Sequence, residues 1–565
     1  MRSLKKLVFA IVLFACVKAP SQTMEDGLKA LSNENFNSAL DIFKKLSEAD
    51  PSSASALFQY GQALFKAGNF DGAKAAFDQG VTARPAEFLC VIGQAKCLLN
   101  QGDLIGAEKK IAAALKATKS KDPDIYRYTA DAYSTNKNKD WAKAIDYAQK
   151  AIATLKGKTD FNAFNTLGDV YFEKHYSGNG EDRDIGFAVT NYEKSYTINP
   201  KSPYAMTKVG KIWSTTKTDL SYRSCIDALD KAKLADPDYL PMHSVYAIIY
   251  EKSGQLEKAK EELEIYLAGC EDKVKSNDHL INVLYQLKDW KATLELTQKM
   301  NSQFPNNCDY LKVMAHANTE LAHYAEALND FTLYQSKCVN EKLTVEDYSY
   351  LARANRGLGK DSEAVFYYNQ VIGLDSLREQ LILKEMANGF YSSKKFDLAI
   401  VAFNRLMLKF PTPNAQYKLM DCYYLSKKWK ETNIAADSFI ASNTGNPLGY
   451  LYKARALYYI DTVNDRKAAA DMYKTYLEKT TDTAFSKQVL VSEKTEAHQQ
   501  ICFHYIKKKN LKAALGELDK ALIDDPNNQS IISLRAKIDK AMKPQPAPAP
   551  KAPEKGKPTI PVKPK

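Results

Sequence analysis

The chain has 565 residues, 45% of them apolar and 26% charged, which suits three or four globular domains of ~150 residues or one long repeat array. It holds only 24 Gly and 21 Pro, and eight of the prolines fall in the last 22 residues, so the body lacks the turn formers of a many-stranded β fold, and the composition excludes collagen, wholesale disorder and a polytopic membrane protein. The net charge is +12, but Arg2, Lys5, Lys6, Lys18 and a basic tail carry most of it, leaving a body near +4 with no basic run longer than Lys507-Lys508-Lys509. That charge density excludes a nucleic-acid binder.

The chain opens as an export leader. Met1 to Lys6 is basic and Leu7 to Val17 is apolar, too short to span a bilayer but suited to a signal-peptide core. Small residues at Ala19 and Ser21 place cleavage before Gln22, so 1–21 is read as a signal peptide. Leu13-Phe14-Ala15-Cys16 also resembles a bacterial lipoprotein box, which makes Cys16 a second candidate, for lipidation. Phe14 is bulky for that box. No later segment is apolar enough to span a membrane. The expected location is therefore exported and periplasmic, with peripheral outer-membrane association as the lipoprotein alternative.

From 22 to 528 a pattern recurs. Small residues stand at Ala39, Ala73, Ala107, Ala144, Ala188, Cys225, Ala259, Thr293, Ala327, Ala364, Ala399, Thr432, Ala469 and Ala514, mostly about 34 apart. Three residues earlier comes a large apolar residue, as at Phe36, Phe70, Leu104, Trp141, Ile185, Leu256, Trp290, Tyr324, Phe396, Trp429 and Leu511. Twelve residues later Pro51, Pro85, Pro200, Pro237, Pro305, Pro411 and Pro526 stop the element, because proline lacks an N–H and clashes with the preceding turn. Twelve residues before the small site a second one recurs, at Gly27, Gly61, Ala95, Ala247, Ala315, Ala352 and Ala387. Small residues at two fixed positions predict two helices crossing closely in a hairpin.

One unit carries the signature in full: Phe164-x-x-Leu167-Gly168-x-x-Tyr171, then Ala188-x-x-x-Tyr192, then Pro200. It resembles the tetratricopeptide repeat. The resemblance implies an all-α solenoid of about 14 helical hairpins. The insertion His175 to Asp184 makes that unit similar to the Sel1-like variant. Its Gly, Asn and Asp content predicts a surface loop rather than a calcium site. Gln529 to Met542 reads as an amphipathic helix, with Ile531, Ile532, Leu534 and Ile538 covering the open end, so 529–543 is a capping helix. The tail 544–565, rich in Pro and Lys without aromatics, predicts an extended tether or a partner ligand.

No catalytic constellation stands out: no metal-binding H-E-x-x-H, no G-x-S-x-G, no phosphate loop. The chain is read as not an enzyme, with no cofactor and no metal. The cysteines show no C-x-x-C pair, and Cys225 and Cys502 read as packing residues. Cys308 should open one helix and Cys338 close the next. The two ends of a hairpin meet, so this pair could form a disulfide under the oxidising conditions of an exported protein. Two free, half-buried thiols are the alternative.

The resemblance also implies a concave groove lined by the fifth, ninth and twelfth positions of each unit. On this chain those are Tyr285, Lys312, His316, Arg353, Arg356, Lys384, Asn388, Tyr391, Tyr417, Asp421, Tyr424, Arg455 and Tyr458. The mixture resembles the clamps by which some repeat proteins hold a peptide carboxylate. Arg353, Arg356 and Lys384 should form a cationic cluster. Earlier units offer an acidic stretch, Asp124, Asp131, Asn165, Asp169 and Glu173. Solvated helix faces are the alternative for both sets. The expected function is a non-enzymatic scaffold holding envelope proteins in that groove, for secretion, motility or outer-membrane assembly. The rival is an outer-membrane lipoprotein that captures a small ligand such as a glycan.

Overall fold

The computed structural model describes residues 22–543 apart from 158, 216–218, 306, 462–465, 483 and 486–488. The leader, Cys16 and the tail lie outside the described residues. Among those residues, helix runs from Met24 to Met542 with no strand. Twenty-nine α-helices follow one another, fourteen pairs and a final single helix, Gln529–Met542. The chain divides into two compact units, Met1–Ala317 and Asn318–Lys565. The boundary falls in the last turn of the helix Cys308–Glu320.

The periodic residues build the helices as their chemistry predicts. Thirteen of the fourteen small sites are fully buried, and Ala469 is 2% exposed. Where threonine takes the site, the Thr293 and Thr432 hydroxyls donate to the carbonyls of Asp289 and Lys428 one turn back, so no polar group is stranded. The Cys225 thiol donates to the Gly210 carbonyl at 3.2 Å. Phe36, Phe70, Leu104, Trp141, Leu256, Trp290, Tyr324, Phe396, Trp429 and Leu511 are each the first residue of a second helix. Each of the seven prolines stands two residues beyond a helix end, as Pro51 does after Ala49 and Pro526 after Asp524. Replacing Ala73 by Leu is expected to overpack a closed helix crossing, costing ~1–3 kcal/mol in chemical unfolding. An unchanged midpoint would contradict the crossing.

The hairpin turn adds a rule that the periodicity did not show. Five residues before the small site the backbone is left-handed, at Gly68 (φ 78°), Gly102 (φ 88°), Gly254 and Gly359 (each φ 74°). Glycine suits that geometry, yet Glu34, Lys288, Ala322, Lys394, Lys427 and Lys509 adopt it too. There the next N–H closes onto a first-helix carbonyl, Asn35 onto Ala30 and Lys395 onto Phe390, a Schellman-type end.

Two expectations need correction. The insertion His175–Asp184 is not a plain surface loop: His175–Asn179 is a π-helical turn, and a new helix begins at Asp182. Asp184 is 2% exposed, pairs with Lys174 at 3.0 Å and closes a capping box with Glu181. That box starts the second helix early, so Ile185 lies inside it rather than at its first position. In the final helix Ile531 and Ile538 are buried, but Ile532 is 39% exposed, because only one stripe of that helix faces the last hairpin.

Cys308 begins its helix and Cys338 is the C-cap of Tyr324–Lys337. Both are disulfide-bonded. Cys90, Cys97, Cys225, Cys270, Cys422 and Cys502 are free and buried.

Candidate functional site

The N-terminal unit closes on itself. Small rotations between successive hairpins add up, and the seventh hairpin returns to the first. Asn35 is the N-cap of the helix Phe36–Ala49 but makes no side-chain cap bond there. Its Nδ2 instead donates to the Gly269 carbonyl at 3.0 Å, and its Oδ1 accepts from the Glu271 N–H at 3.2 Å. Glu271 reciprocates. Its carboxylate accepts from the N–H groups of Asn37 at 2.8 Å and Ser38 at 2.7 Å, in the first turn of that helix. Asn33 Oδ1 accepts from the Leu240 N–H at 3.3 Å. A helix N-terminus with no acidic residue of its own thus takes its anion from a distant repeat.

Burial alone would raise the Glu271 pKa, but the bonds from Ser38 and Asn37 outweigh it and hold the carboxyl below its ordinary value. A depressed carboxyl contributes stability that is present above the unfolded pKa and lost as pH falls through the folded one. The closure is therefore expected to loosen on acidification below about pH 4.3. Glu271→Ala is expected to cost ~1–2 kcal/mol, as for a lost helix cap, and to speed amide exchange at Asn37 and Ser38 at neutral pH. Unchanged exchange there would refute the latch.

The closed turn surrounds a polar lumen. One cavity of about 380 Å³ is lined by Arg127, Asp131, Asn162, Asn165, Thr166, Asp169, Ser202 and Tyr204, among others. A second, of about 150 Å³, shares Ser32 and Tyr204 with it and adds Glu34, Lys66, Lys208, Lys211 and Ser244. Most of these side chains stand on first helices, which place their polar faces inward while the small sites face their partner helices.

Charges in the lumen are mixed. Lys96 is buried; its Nζ donates to Asp131 Oδ2 at 2.6 Å and to Gln62 Oε1 at 3.0 Å, and lies 4.6 Å from the Phe65 ring centre. Asp169 Oδ1 accepts from the Tyr192 and Tyr204 hydroxyls, each at 2.7 Å. Burial pushes the Asp169 carboxyl up, against the pull of Lys208 and the two tyrosines. The surrounding protein pushes the Lys66 ammonium down; Asp131 opposes this, while Lys96 and Lys208 add repulsion. Arg127 Nε sits 3.0 Å from Asp124. Asn165 is 8% exposed and its Oδ1 has no hydrogen-bond partner. The expected acidic stretch is thus corrected to a mixed surface. Lys66, Lys96, Lys208 and Lys211 were missed because they belong to other repeats, which only the closure brings to the same space.

The expected groove residues fall in both units. In the N-terminal unit Tyr285 OH and His316 Nδ1 share a hydrogen bond at 3.0 Å, with Tyr285 edge-on to Trp290. Lys312 is half-buried on the same helix as His316. In the C-terminal unit the cations do not form an uncompensated cluster. Arg353 grips Glu320 through both terminal nitrogens, at 2.8 and 2.9 Å, and lies 3.8 Å from Glu385. The Glu320 bonds hold its guanidinium pKa up, and burial pushes the Glu385 carboxyl up. Arg356 donates to the Gly389 carbonyl at 3.2 Å. A Cβ at Gly389 would stand 2.7 Å from the guanidinium carbon. Lys384 is exposed.

The remaining groove residues also bond one another. Asn388 Oδ1 accepts from Lys418 at 2.5 Å. Asp421 is buried and accepts from Tyr391 at 2.5 Å and from Tyr452 at 2.6 Å. Tyr417 and Tyr424 stack edge-on against Tyr452. Arg455 binds Glu496 at 2.6 and 3.0 Å and lies 5.5 Å over both Tyr424 and Tyr452. This face is a chain of staples between neighbouring repeats. The carboxylates that the sequence reading missed, Glu320, Glu385 and Glu496, stand roughly one repeat period from their arginines, and that spacing was the available signal.

Among the described residues no group of three or more His, Cys, Asp or Glu could hold a metal ion, and no helix is long and apolar enough to cross a membrane.

Comparison with known proteins agrees with the repeat. Residues 30–89 match the tetratricopeptide repeat family model. No curated protein matches the chain. Among solved structures, the C-terminal part of a tetratricopeptide repeat-containing protein from Cytophaga hutchinsonii is 23% identical, with 45% of this chain and 97% of that one covered and a TM-score of 0.37. PilF of Pseudomonas aeruginosa is 16% identical, covering 38% and 91%, at TM-score 0.28. Yeast Tom70 is 11% identical, covering 72% and 95%, at TM-score 0.26. At these scores the likenesses carry no functional argument.

Proposed function

We propose that this chain, a solenoid of tetratricopeptide-type repeats, is a non-enzymatic scaffold of the bacterial cell envelope that holds partner proteins on the inward faces of its first helices. One observation carries the reading: the N-terminal unit closes around a polar lumen lined by side chains from the first helices of several repeats. The basic and then apolar leader supports export, and secretion, motility or outer-membrane assembly are the settings considered. The stapled face of the C-terminal unit has its charges largely spent on its own repeats, so the lumen is the better candidate.

Crosslinking in intact cells followed by capture of the full chain tests the reading. Specific envelope proteins crosslinked to residues of the lumen are expected. Crosslinks confined to the tail beyond Met542 would overturn it. Mass spectrometry of the mature N-terminus separates a chain beginning at Gln22 from one lipidated at Cys16, and the lipidated form would favour the rival reading, a small-ligand lipoprotein.

A further inference from the structure

We infer that the outer face of the C-terminal unit joins two copies of this chain, through an apolar stripe centred on Val401 that seats Phe366 of each copy in a cavity of the other. This goes beyond the scaffold reading, which uses the inward faces, and stands without it.

The stripe follows the repeat register. Two residues after the small site a second helix faces away from its hairpin, and eleven of the fourteen equivalents there are charged, polar or small, as at Asp41, Lys109, Asp146, Glu261 and Asp471. Three consecutive repeats break that rule with Phe366, Val401 and Ile434, on the helices Asp361–Leu374, Phe396–Lys409 and Trp429–Ser442. Leu374 follows Phe366 by eight residues and Leu408 follows Val401 by seven, so each shares its helix face. All five are more than half exposed, while Ile400, beside Val401, is buried. Arg405 donates to Asn369 at 2.9 Å and holds the first two of these helices side by side. At Ile434 the stripe opens into a cavity of about 380 Å³, walled by Met407, Leu419, Tyr423 and Ala435 with Asn404 and Ser438 at its polar edge.

Area and charge select the occupant. A standard interface takes ~800 Å² from each partner, of which a homodimer makes about two-thirds apolar, or roughly 500 Å². The five side chains expose ~600 Å² between them, as much as the largest patch on an ordinary monomer. The charges bordering the stripe are paired within the chain: Arg378 with Asp375 at 3.1 Å, Lys409 with Glu379 at 2.8 Å and Asp437 with Lys453 at 2.5 Å. An anionic membrane or a charged segment gains little on such a surface, whereas a second copy meets an apolar face without like-charge repulsion. Symmetry then sets the register. One repeat separates Phe366 from Val401 and one separates Val401 from Ile434, so a two-fold axis at Val401 lays Phe366 of each copy over the cavity of the other. Phenylalanine is the largest side chain of the stripe, and the cavity has room for its ring.

Sedimentation velocity on the full chain tests this. A dimer is expected at about 10 µM. Val401→Glu sets two carboxylates face to face at the axis and is expected to weaken association at least about tenfold, while Ile105→Glu, at an exposed residue of the N-terminal unit, leaves it unchanged. The register has its own test. Phe366→Glu and Ile434→Lys should each be monomeric alone, yet pair when mixed, because the mixed dimer keeps one native Phe366 contact and faces the new carboxylate with the new ammonium. All these positions are exposed, and circular dichroism melts near wild type are expected for every variant. A monomeric full chain would overturn the inference, as would a dimer that Val401→Glu and Phe366→Glu both leave intact. Failure of the mixture to pair would overturn the seating of Phe366. A dimer that appears only after deletion of the residues beyond Met542 would make the tail the occupant in place of a second copy.

Discussion

Replacing Asp131 by Ala is expected to destabilise the N-terminal unit by about 3–5 kcal/mol, the usual penalty for leaving a buried charge without its partner. The Lys96 side chain is 2% exposed and its ammonium sits 2.6 Å from the Asp131 carboxylate. Gln62 offers one neutral acceptor, and the Phe65 ring lies close, but neither replaces a full negative charge. Lys66 stands near enough to add repulsion. The double variant Asp131→Ala with Lys96→Met should recover most of the loss, because it removes the stranded charge and keeps the volume. Chemical unfolding of the three proteins decides. If the double variant is no better than Asp131→Ala, the pair is not coupled in this way.

What could be read from the sequence was whatever each repeat must do for itself. A helix crossing needs a small residue at a fixed distance from the turn, so Ala39, Ala73 and their equivalents recur in phase and are buried. A second helix must stop, so Pro51 and its equivalents fall two residues past the end. The left-handed turn residue was illegible because lysine, alanine and glutamate together occupy it more often than glycine. The latch was illegible for a different reason. Asn35 and Glu271 lie 236 residues apart, and their meeting depends on many small inter-repeat rotations added together. The groove was read position by position, which identified residues on the right faces. It ignored that a charge on one first helix is reached by the charge one period away, so Arg353 was counted as available when Glu320 already holds it.

The same reasoning gives the second large effect, in the C-terminal unit. Arg455 was expected to greet a partner; the structure makes it an internal staple. Its side chain is 15% exposed, it binds Glu496 through two nitrogens, and its guanidinium covers the rings of Tyr424 and Tyr452. Glu493 stands 3.9 Å away, and Tyr473 donates to Glu496 at 2.9 Å. Arg455→Ala therefore removes the shared cation between two carboxylates, leaving Glu496 with only a tyrosine hydroxyl. It also uncovers two aromatic faces. The expected cost is about 2–4 kcal/mol: less than for a fully buried pair because water reaches Glu496, more than for a surface pair because the guanidinium is enclosed. Arg455→Lys should recover little, since one ammonium cannot make the two-nitrogen contact or stack flat on a ring. A partner-binding role predicts the opposite pattern, with stability near wild type and partner capture lost. Unfolding curves for the two variants, measured beside their crosslinking in cells, separate the alternatives. Wild-type stability in Arg455→Ala would restore Arg455 to the partner face.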